Sequence, residues 1–401
     1  MVVFMFIVID RKKLLRAAAG LLVAALFTVS GLLVYTQLTA DAAEGQTAES
    51  GTDAAEKKFI KWVDFNVPYE ALDRALKLDV ESHGADTPVN WVELLAYAAA
   101  KNGGNWKGFK VSKLDETAQK LQEGTPIEAL TKDMKYYSYY QEAYSAVLGG
   151  LVGEYEIEVA DETAAGGKRW ESRYGLKGFS PIAKNYPYND FDDFGSSRDY
   201  GFKRKHLGHD LMGAVGTPVI AVEGGTVEAL GWNQYGGWRI GIRSFDKKRY
   251  YYYAHLRKNF PYNKELKEGS VVQPGDVIGY LGRTGYSATE NVNNITQPHL
   301  HFGLQLIFDE SQKEGNNEIW VDVYALVRLL YRNRSEVLKE EETKEYHRIY
   351  AIRDPAVPEN APPVESGAEE TVHPLPADSG PSCPFLTCQK GSKCRLAFAP
   401  P

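Results

Sequence analysis

The 401-residue sequence predicts an α+β chain: a transmembrane helix, then a small helical domain, then an antiparallel all-β domain. Three observations carry this. Residues 59–150 contain strong helix formers interrupted by Pro and Gly-Gly pairs. From about Phe179 to Val327 the pattern changes to short apolar segments separated by Gly, Asp and Pro turns, the spacing of antiparallel strands. Ahead of both, Ala17 to Thr36 is an uncharged run of Ala, Leu and Val long enough to cross a bilayer once.

Taken in order, Arg11, Lys12, Lys13 and Arg16 precede the apolar run, and Asp41 and Glu44 follow it. Basic residues stay on the cytoplasmic side, so residues 1–13 are expected inside and the bulk of the chain outside. Ala40-Asp-Ala42 resembles a signal-cleavage site, but the apolar segment exceeds the usual signal length. An uncleaved, single-pass cell-membrane anchor over 14–37 is therefore expected. Residues 38–58, rich in Ala, Glu, Thr and Gly, form a polar linker with little to bury.

Residues 59–160 are expected to form a helical domain of about four helices. Trp91-Val-Glu-Leu-Leu-Ala-Tyr-Ala-Ala-Ala100 is a strong helix former between Pro88 and Gly103-Gly104. Ser112-Lys-Leu-Asp115 and Thr125-Pro-Ile-Glu128 look like helix starts, with acidic residues in the first turn. Tyr136 to Leu148 is a tyrosine-heavy helix closed by Gly149-Gly150. This part reads either as a module that binds a protein partner or the wall, or as a spacer packed on the next domain. Glu81 and His83 lie near an apolar helix without forming a catalytic constellation.

Leu151 to Lys168 reads as a short strand-like join. Strands then fall at Val219–Val222, Gly225–Leu230, Arg239–Arg243, Arg249–His255, Ser270–Val272 and Val277–Leu281. Asp322 to Tyr331 reads as a closing helix, which ends the all-β domain at about 179–335. Residues 354–401 form a Pro-rich tail of low complexity holding Cys383, Cys388 and Cys394. The folded domains thus need no disulfide. With a net charge of −7 there is no nucleic-acid signal, and no broad electrostatic capture of anionic polymers is expected. The 25 Tyr and 7 Trp suit flat, polar-edged ligands, and equally an all-β core with a wet surface.

The chemistry lies in four of the eight histidines and one aspartate: His206-x-x-x-Asp210, Tyr253-Ala-His255-Leu, and His299-Leu-His301. Two imidazoles and a carboxylate can hold Zn²⁺ and leave a fourth position open for water. Two more imidazoles remain for proton transfer at that water. His299 and His301 sit in an alternating run that reads as a strand, so both point to one face and Leu300 and Phe302 to the other. Gly208, Gly213, Gly216 and Pro218 argue against a helix around His206, so this is not a helical HExxH site.

Here the chain resembles the LytM/lysostaphin-type zinc endopeptidases of peptidoglycan, peptidase family M23. The matching landmarks are His206-Leu-Gly-His-Asp210, Gly216-Thr-Pro-Val219, Ala221-Val-Glu-Gly-Gly-Thr-Val227, Tyr253-Ala-His255-Leu256, Val272-Gln-Pro-Gly-Asp-Val-Ile-Gly279, Gly282-Arg-Thr-Gly285 and His299-Leu-His301-Phe. The resemblance implies the LytM-like duplicated hybrid fold, with His206, Asp210 and His301 as zinc ligands and His255 and His299 as catalytic histidines. It implies hydrolysis of peptide cross-links or stem peptides of bacterial peptidoglycan. Some relatives lack ligands and act as membrane-anchored scaffolds that bind a partner or the wall without cutting. All five positions are present here, which favours an enzyme. The chain departs from the family between Gly285 and His299, where Tyr286 to Gln297 form a longer polar segment, expected as a surface loop at the groove mouth.

Of the other histidines, His209 should point away from His206 and Asp210 in an extended segment. His347 is expected at a charged helix end and His373 in the tail. Tyr253 shares strand parity with His255 and is expected to line the groove.

Overall fold

The computed structural model describes residues 59–164, 166–199, 203–315 and 317–358. The expected anchor, the linker, the three cysteines and His373 lie outside the described residues. Among the described residues no helix is long and apolar enough to cross a membrane.

Five helices fill the N-terminal part: α1 (Tyr69–Ser82), α2 (Trp91–Asn102), α3 (Ser112–Gln122), the single turn α4 (Ile127–Thr131) and α5 (Tyr137–Leu148). The count exceeds the expected four by α1, which has no start signal in the sequence; the one-turn α4 falls at the expected start after Thr125-Pro126. Helix α2 is buried nearly all round, from Trp91 through Ala99, which makes it the central helix packed against α1 and α5. Its cap is Asn90, whose side chain accepts from the Val92 and Glu93 amides, and it ends on Gly103 in the left-handed region. Both expected helix starts hold, α3 beginning at Ser112 and α4 at Ile127 after Pro126, though neither helix has a side-chain cap.

The rest is strand. In chain order these are β1 (Val152–Ala160), β2 (Lys168–Leu176), β3 (Ser197–Asp199), β4 (Lys203–Lys205), β5 (His209–Met212), β6 (Pro218–Ile220), β7 (Gly225–Asn233), β8 (Gly237–Ser244) and β9 (Arg249–Ala254). There follow β10 (Val271–Val272), β11 (Val277–Tyr280), β12 (His299–Leu306), β13 (Ile319–Val321), helix α6 (Tyr324–Leu330), β14 (Val337–Lys339), β15 (Tyr346–Arg348) and β16 (Ile352–Arg353). The main sheet runs β10-β7-β8-β9-β12-β13, with β5 also paired to β12, and all its pairs are antiparallel.

One segment matches its reading and another does not. Leu151 to Lys168, read as strand-like, holds β1, paired over nine residues with β2 and flanked by β16, so the helices end at Leu148 and not at 160. Glu154, Glu156 and Glu158 alternate with Tyr155, Ile157 and Val159, a period of two that overrides the helix formers before it. His347 is not at a helix end. It lies in β15, where Tyr346–Arg348 pair with Val337–Lys339 across the charged turn between them.

One apolar core runs through both parts. Leu72, Leu95, Ala143 and Leu148 of the helices belong to the same buried cluster as Ile240, Tyr251, Phe302 and Leu326 of the strand region. At the seam Arg249 is 2% exposed. It donates to the Ala146 carbonyl of α5 at 2.9 Å, to Glu223 at 2.7 and 3.1 Å, and to Asp246 at 2.8 Å. A buried guanidinium with this many acceptors ties the helices to the sheet in one orientation.

Candidate active site

Strand register brings the site together. His301 stands directly across from Asp210 on β5 and from Ala254 on β9. Directly opposed residues have Cβ atoms about 5 Å apart, so their side chains meet over the same face. His299, two residues earlier on β12, shares that face, and His255 follows Ala254 at the end of β9. His206 enters from the loop after β4. Between it and Asp210, Gly208 passes so close to His301 that a Cβ there would lie 2.5 Å from its Cε1.

His206 Nε2, Asp210 Oδ1 and His301 Nδ1 form a triangle with edges of 2.9–3.0 Å. These three residues are a group that could hold a metal ion. Ligand atoms around a tetrahedral zinc with bonds of about 2.0–2.1 Å stand about 3.3 Å apart, so the triangle fits such an ion with little adjustment. The donor set, two imidazoles and a carboxylate, is also one that leaves a fourth position free.

Further groups orient these donors. His206 Nδ1 lies 3.2 Å from the Asp193 backbone carbonyl oxygen and 3.3 Å from Arg198, contacts that hold the ring with Nε2 turned to Asp210 and His301. The other carboxylate oxygen of Asp210 accepts from Arg198 at 3.1 Å, and Arg198 also donates to Asp193. Burial alone would raise the Asp210 carboxyl, but hydrogen bonds with His206 and His301 outweigh it and hold the group well below the usual carboxylate range.

His255 and His299 are held by the same logic. The Nδ1 of His255 donates to the Thr284 carbonyl at 3.0 Å, and that of His299 to the Gln297 carbonyl at 2.8 Å. Each Nε2 is thereby left as the reactive nitrogen. His299 Nε2 is 3.7 Å from Asp210 Oδ1, and the His255 and His299 rings are 4.8 Å apart. Burial, reinforced by His299 and His301, pushes His255 well below the ordinary imidazole range, so it is neutral near pH 7. Burial likewise lowers His301, against the pull of Asp210.

His255 also adopts φ 62°, a left-handed conformation uncommon outside glycine. This overturns the expectation for Tyr253. The positive φ breaks the two-residue alternation, so Tyr253 lies in the core, where its hydroxyl accepts from the Val222 amide at 3.0 Å. Tyr252 takes the groove position instead, with its ring 5.9 Å from that of His301. His209 points away from the site and bonds Asp190 at 2.9 Å.

His206, Asp210, His255 and His301 line a groove of about 570 Å³. Its wall along the sheet carries Tyr252, Tyr250, Arg239, Gln305 and Trp320. Gly303 makes room there, since a Cβ would meet the Trp320 ring at 2.8 Å. On the other side Arg204 lies against the rings of Tyr235 and Tyr286, at 5.4 and 5.1 Å, and donates to the Tyr286 hydroxyl. The segment expected as a groove-mouth loop does supply a lining residue, Tyr286. Further along the segment Asn291 ties it to neighbouring chain, accepting from the Trp238 indole at 2.9 Å and from the Asn259 amide at 2.8 Å, and Ile295 is buried. Asp193, Arg198 and Arg204 had no sequence signal of their own; the pairing of β3 with β4 brings Arg198 and Arg204 here, whereas Thr284 falls in the Gly282-Arg-Thr-Gly285 landmark.

Comparison with known proteins agrees with this geometry. Residues 204–316 match the model of peptidase family M23. The chain is 40% identical over 124 residues to the L-Ala--D-Glu endopeptidase of Bacillus subtilis, covering 31% of this chain and 36% of that protein. It is 41% identical over 98 residues to the glycyl-glycine endopeptidase ALE-1 of Staphylococcus capitis, covering 24% of each. The chain thus spans about a third or less of the length of these relatives. Among solved structures, the catalytic domain of lysostaphin from Staphylococcus simulans is similar at 31% identity, over 35% of this chain and 92% of that one, with a TM-score of 0.28.

Proposed function

We propose that this chain, which carries a peptidase family M23 domain, is a zinc-dependent endopeptidase acting on peptides of bacterial peptidoglycan. The observation that carries the reading is the 2.9–3.0 Å triangle of His206, Asp210 and His301 with two further imidazoles, His255 and His299, beside it. Relatives named as an L-Ala--D-Glu endopeptidase, a glycyl-glycine endopeptidase and a peptidoglycan DD-endopeptidase support the substrate class. Their names specify different bonds, so none of these bonds is carried over to this chain.

In this reading His206, Asp210 and His301 hold the ion. A zinc bound there would acidify a water molecule and polarise a peptide carbonyl. The protein's own groups do the rest. His255 and His299, each with Nδ1–H tied to a backbone carbonyl, turn Nε2 towards the reacting centre, where it can accept a proton from the attacking water and, once protonated, donate to developing negative charge. Arg198 neutralises the outer oxygen of Asp210 and keeps the carboxylate turned inward. Tyr252, Tyr250 and Trp320 offer flat faces along which an extended peptide can lie. We place the activity outside the cell membrane, on the charge asymmetry around residues 17–36.

The test is digestion of purified peptidoglycan by the full chain, with and without a chelator. Release of new amino termini that stops with chelator and returns with zinc supports the proposal. Stoichiometric zinc without any release from cross-linked or linear stem peptides would overturn it and leave a binding scaffold.

A further inference from the structure

A second cleft lies in the helical part and is lined by lysines. Residues 59–150 carry ten Lys or Arg and thirteen Asp or Glu. Five of those ten, Lys101, Lys107, Lys110, Lys113 and Lys120, nevertheless line one cleft of about 500 Å³, where Glu116 is the sole carboxylate. Lys101 comes from the end of α2, Lys107 and Lys110 from the loop before α3, and Lys113 and Lys120 from α3. The last two are two helical turns apart, with Glu116 between them on the same face. All five lysines are exposed.

Glu116 neutralises only one of them, Lys113, at 2.7 Å. Its carboxyl is held low first by that bond and then by Lys120 and Lys101, which locates all three cations around it. Among the described residues no carboxylate pairs with Lys101, Lys107, Lys110 or Lys120. Like charges gathered on one side of an otherwise acidic region gain nothing from folding, and they create a local field that attracts anions. No arginine lines the cleft, so it offers point-like ammonium charges and not the planar fork that grips one carboxylate or phosphate bidentately, which suits singly charged phosphodiesters repeated along a chain. Tyr97 is buried and Phe109 packs edge-on against Trp106 at 4.7 Å, so no aromatic pair is presented for stacking bases.

We propose that this cleft binds a linear, base-free phosphodiester polymer through its backbone phosphates. The site is separate from the groove at the histidines, and its occupation does not depend on catalysis. Fluorescence anisotropy of the full chain with labelled poly(glycerol phosphate) tests it. For a single-stranded polyanion the log–log salt slope is about −0.7 per phosphate neutralised, so five lysines predict a slope of about −3.5. Replacing Lys107, Lys110 and Lys120 with Gln should weaken binding tenfold or more at low salt and flatten the slope by about two. A control with Lys61, Lys132 and Lys135 changed to Gln removes the same charge elsewhere and should bind as the parent does. All six residues are exposed, and matching thermal melts verify that both variants fold. Equal loss in the two variants would overturn the proposal. So would equal affinity for polyglutamate, or tighter binding of an oligodeoxynucleotide of the same charge.

Discussion

Replacing Gly208 with Ala tests the site through a residue that is neither ligand nor catalyst. Gly208 does not have a positive φ, so alanine meets no backbone strain. The added methyl would lie 2.5 Å from His301 Cε1, 2.6 Å from its Nε2 and 2.9 Å from the Phe302 carbonyl oxygen. Ordinary contacts between such atoms need about 3.5 Å or more. The carbonyl belongs to β12, so the His301 ring must withdraw by about 1 Å. That shift is several times the ~0.2 Å tolerance of a metal–ligand bond. Zinc affinity should fall by about 10–100-fold or more, the scale seen when ligand-orienting groups are lost. Overpacking should also cost about 1–3 kcal/mol of stability. Chelator competition on the full chain reads the first effect and thermal melts the second, with Leu207→Ala, an exposed neighbour, as control. A Gly208→Ala variant that folds and keeps the parent's zinc affinity would refute the steric argument and the ligand role of His301 together.

Other consequences follow from the same geometry. His255→Ala and His299→Ala should keep zinc but lose turnover by roughly 10²–10⁴-fold; metal loss or unchanged turnover in either would assign that residue a different role. Exchanging residues 286–297 for Ser-Thr-Gly should leave zinc in place and change KM or the preferred peptide. Tyr286→Ala should give a smaller version of the same effect, and unchanged kinetics across stem and bridge peptides would make the loop a bystander. Arg249→Met leaves Glu223 buried without its partner and should cost about 3–5 kcal/mol in denaturant unfolding. The loss should appear in one shared transition, and two separated transitions would contradict the common core.

The part of this site legible in the sequence was the part governed by local periodicity. Two histidines one residue apart in an alternating run must share a face, and β12 places His299 and His301 accordingly. What joins them to Asp210 is the β5–β12 register, a long-range pairing that no local pattern encodes. Gly208 looked like a turn signal, but its structural importance is the space it leaves for His301. Tyr253 was misplaced because parity holds only while the backbone stays extended, and it fails at His255. Beyond the closing helix α6, the charged run Glu340 to Glu345 concealed the β14–β15 pair, since alternation there is only three residues long on each side.

The helical part raises the question of whether it is an independent module or a spacer, and the seam bears on it directly. Leu148 and Leu151 are fully buried in the core shared with the sheet, and Gly150 lies against the Glu223 carboxylate. Removing residues 59–150 would strip Arg249 of the Ala146 carbonyl and open apolar surface beside β9. β9 is the strand that leads into His255 and pairs with the strand bearing His301. The helices thus act on the site through the sheet they brace. A fragment limited to 179–335 would test a weakened version of the groove, which is why zinc content and hydrolysis are better measured on the full chain.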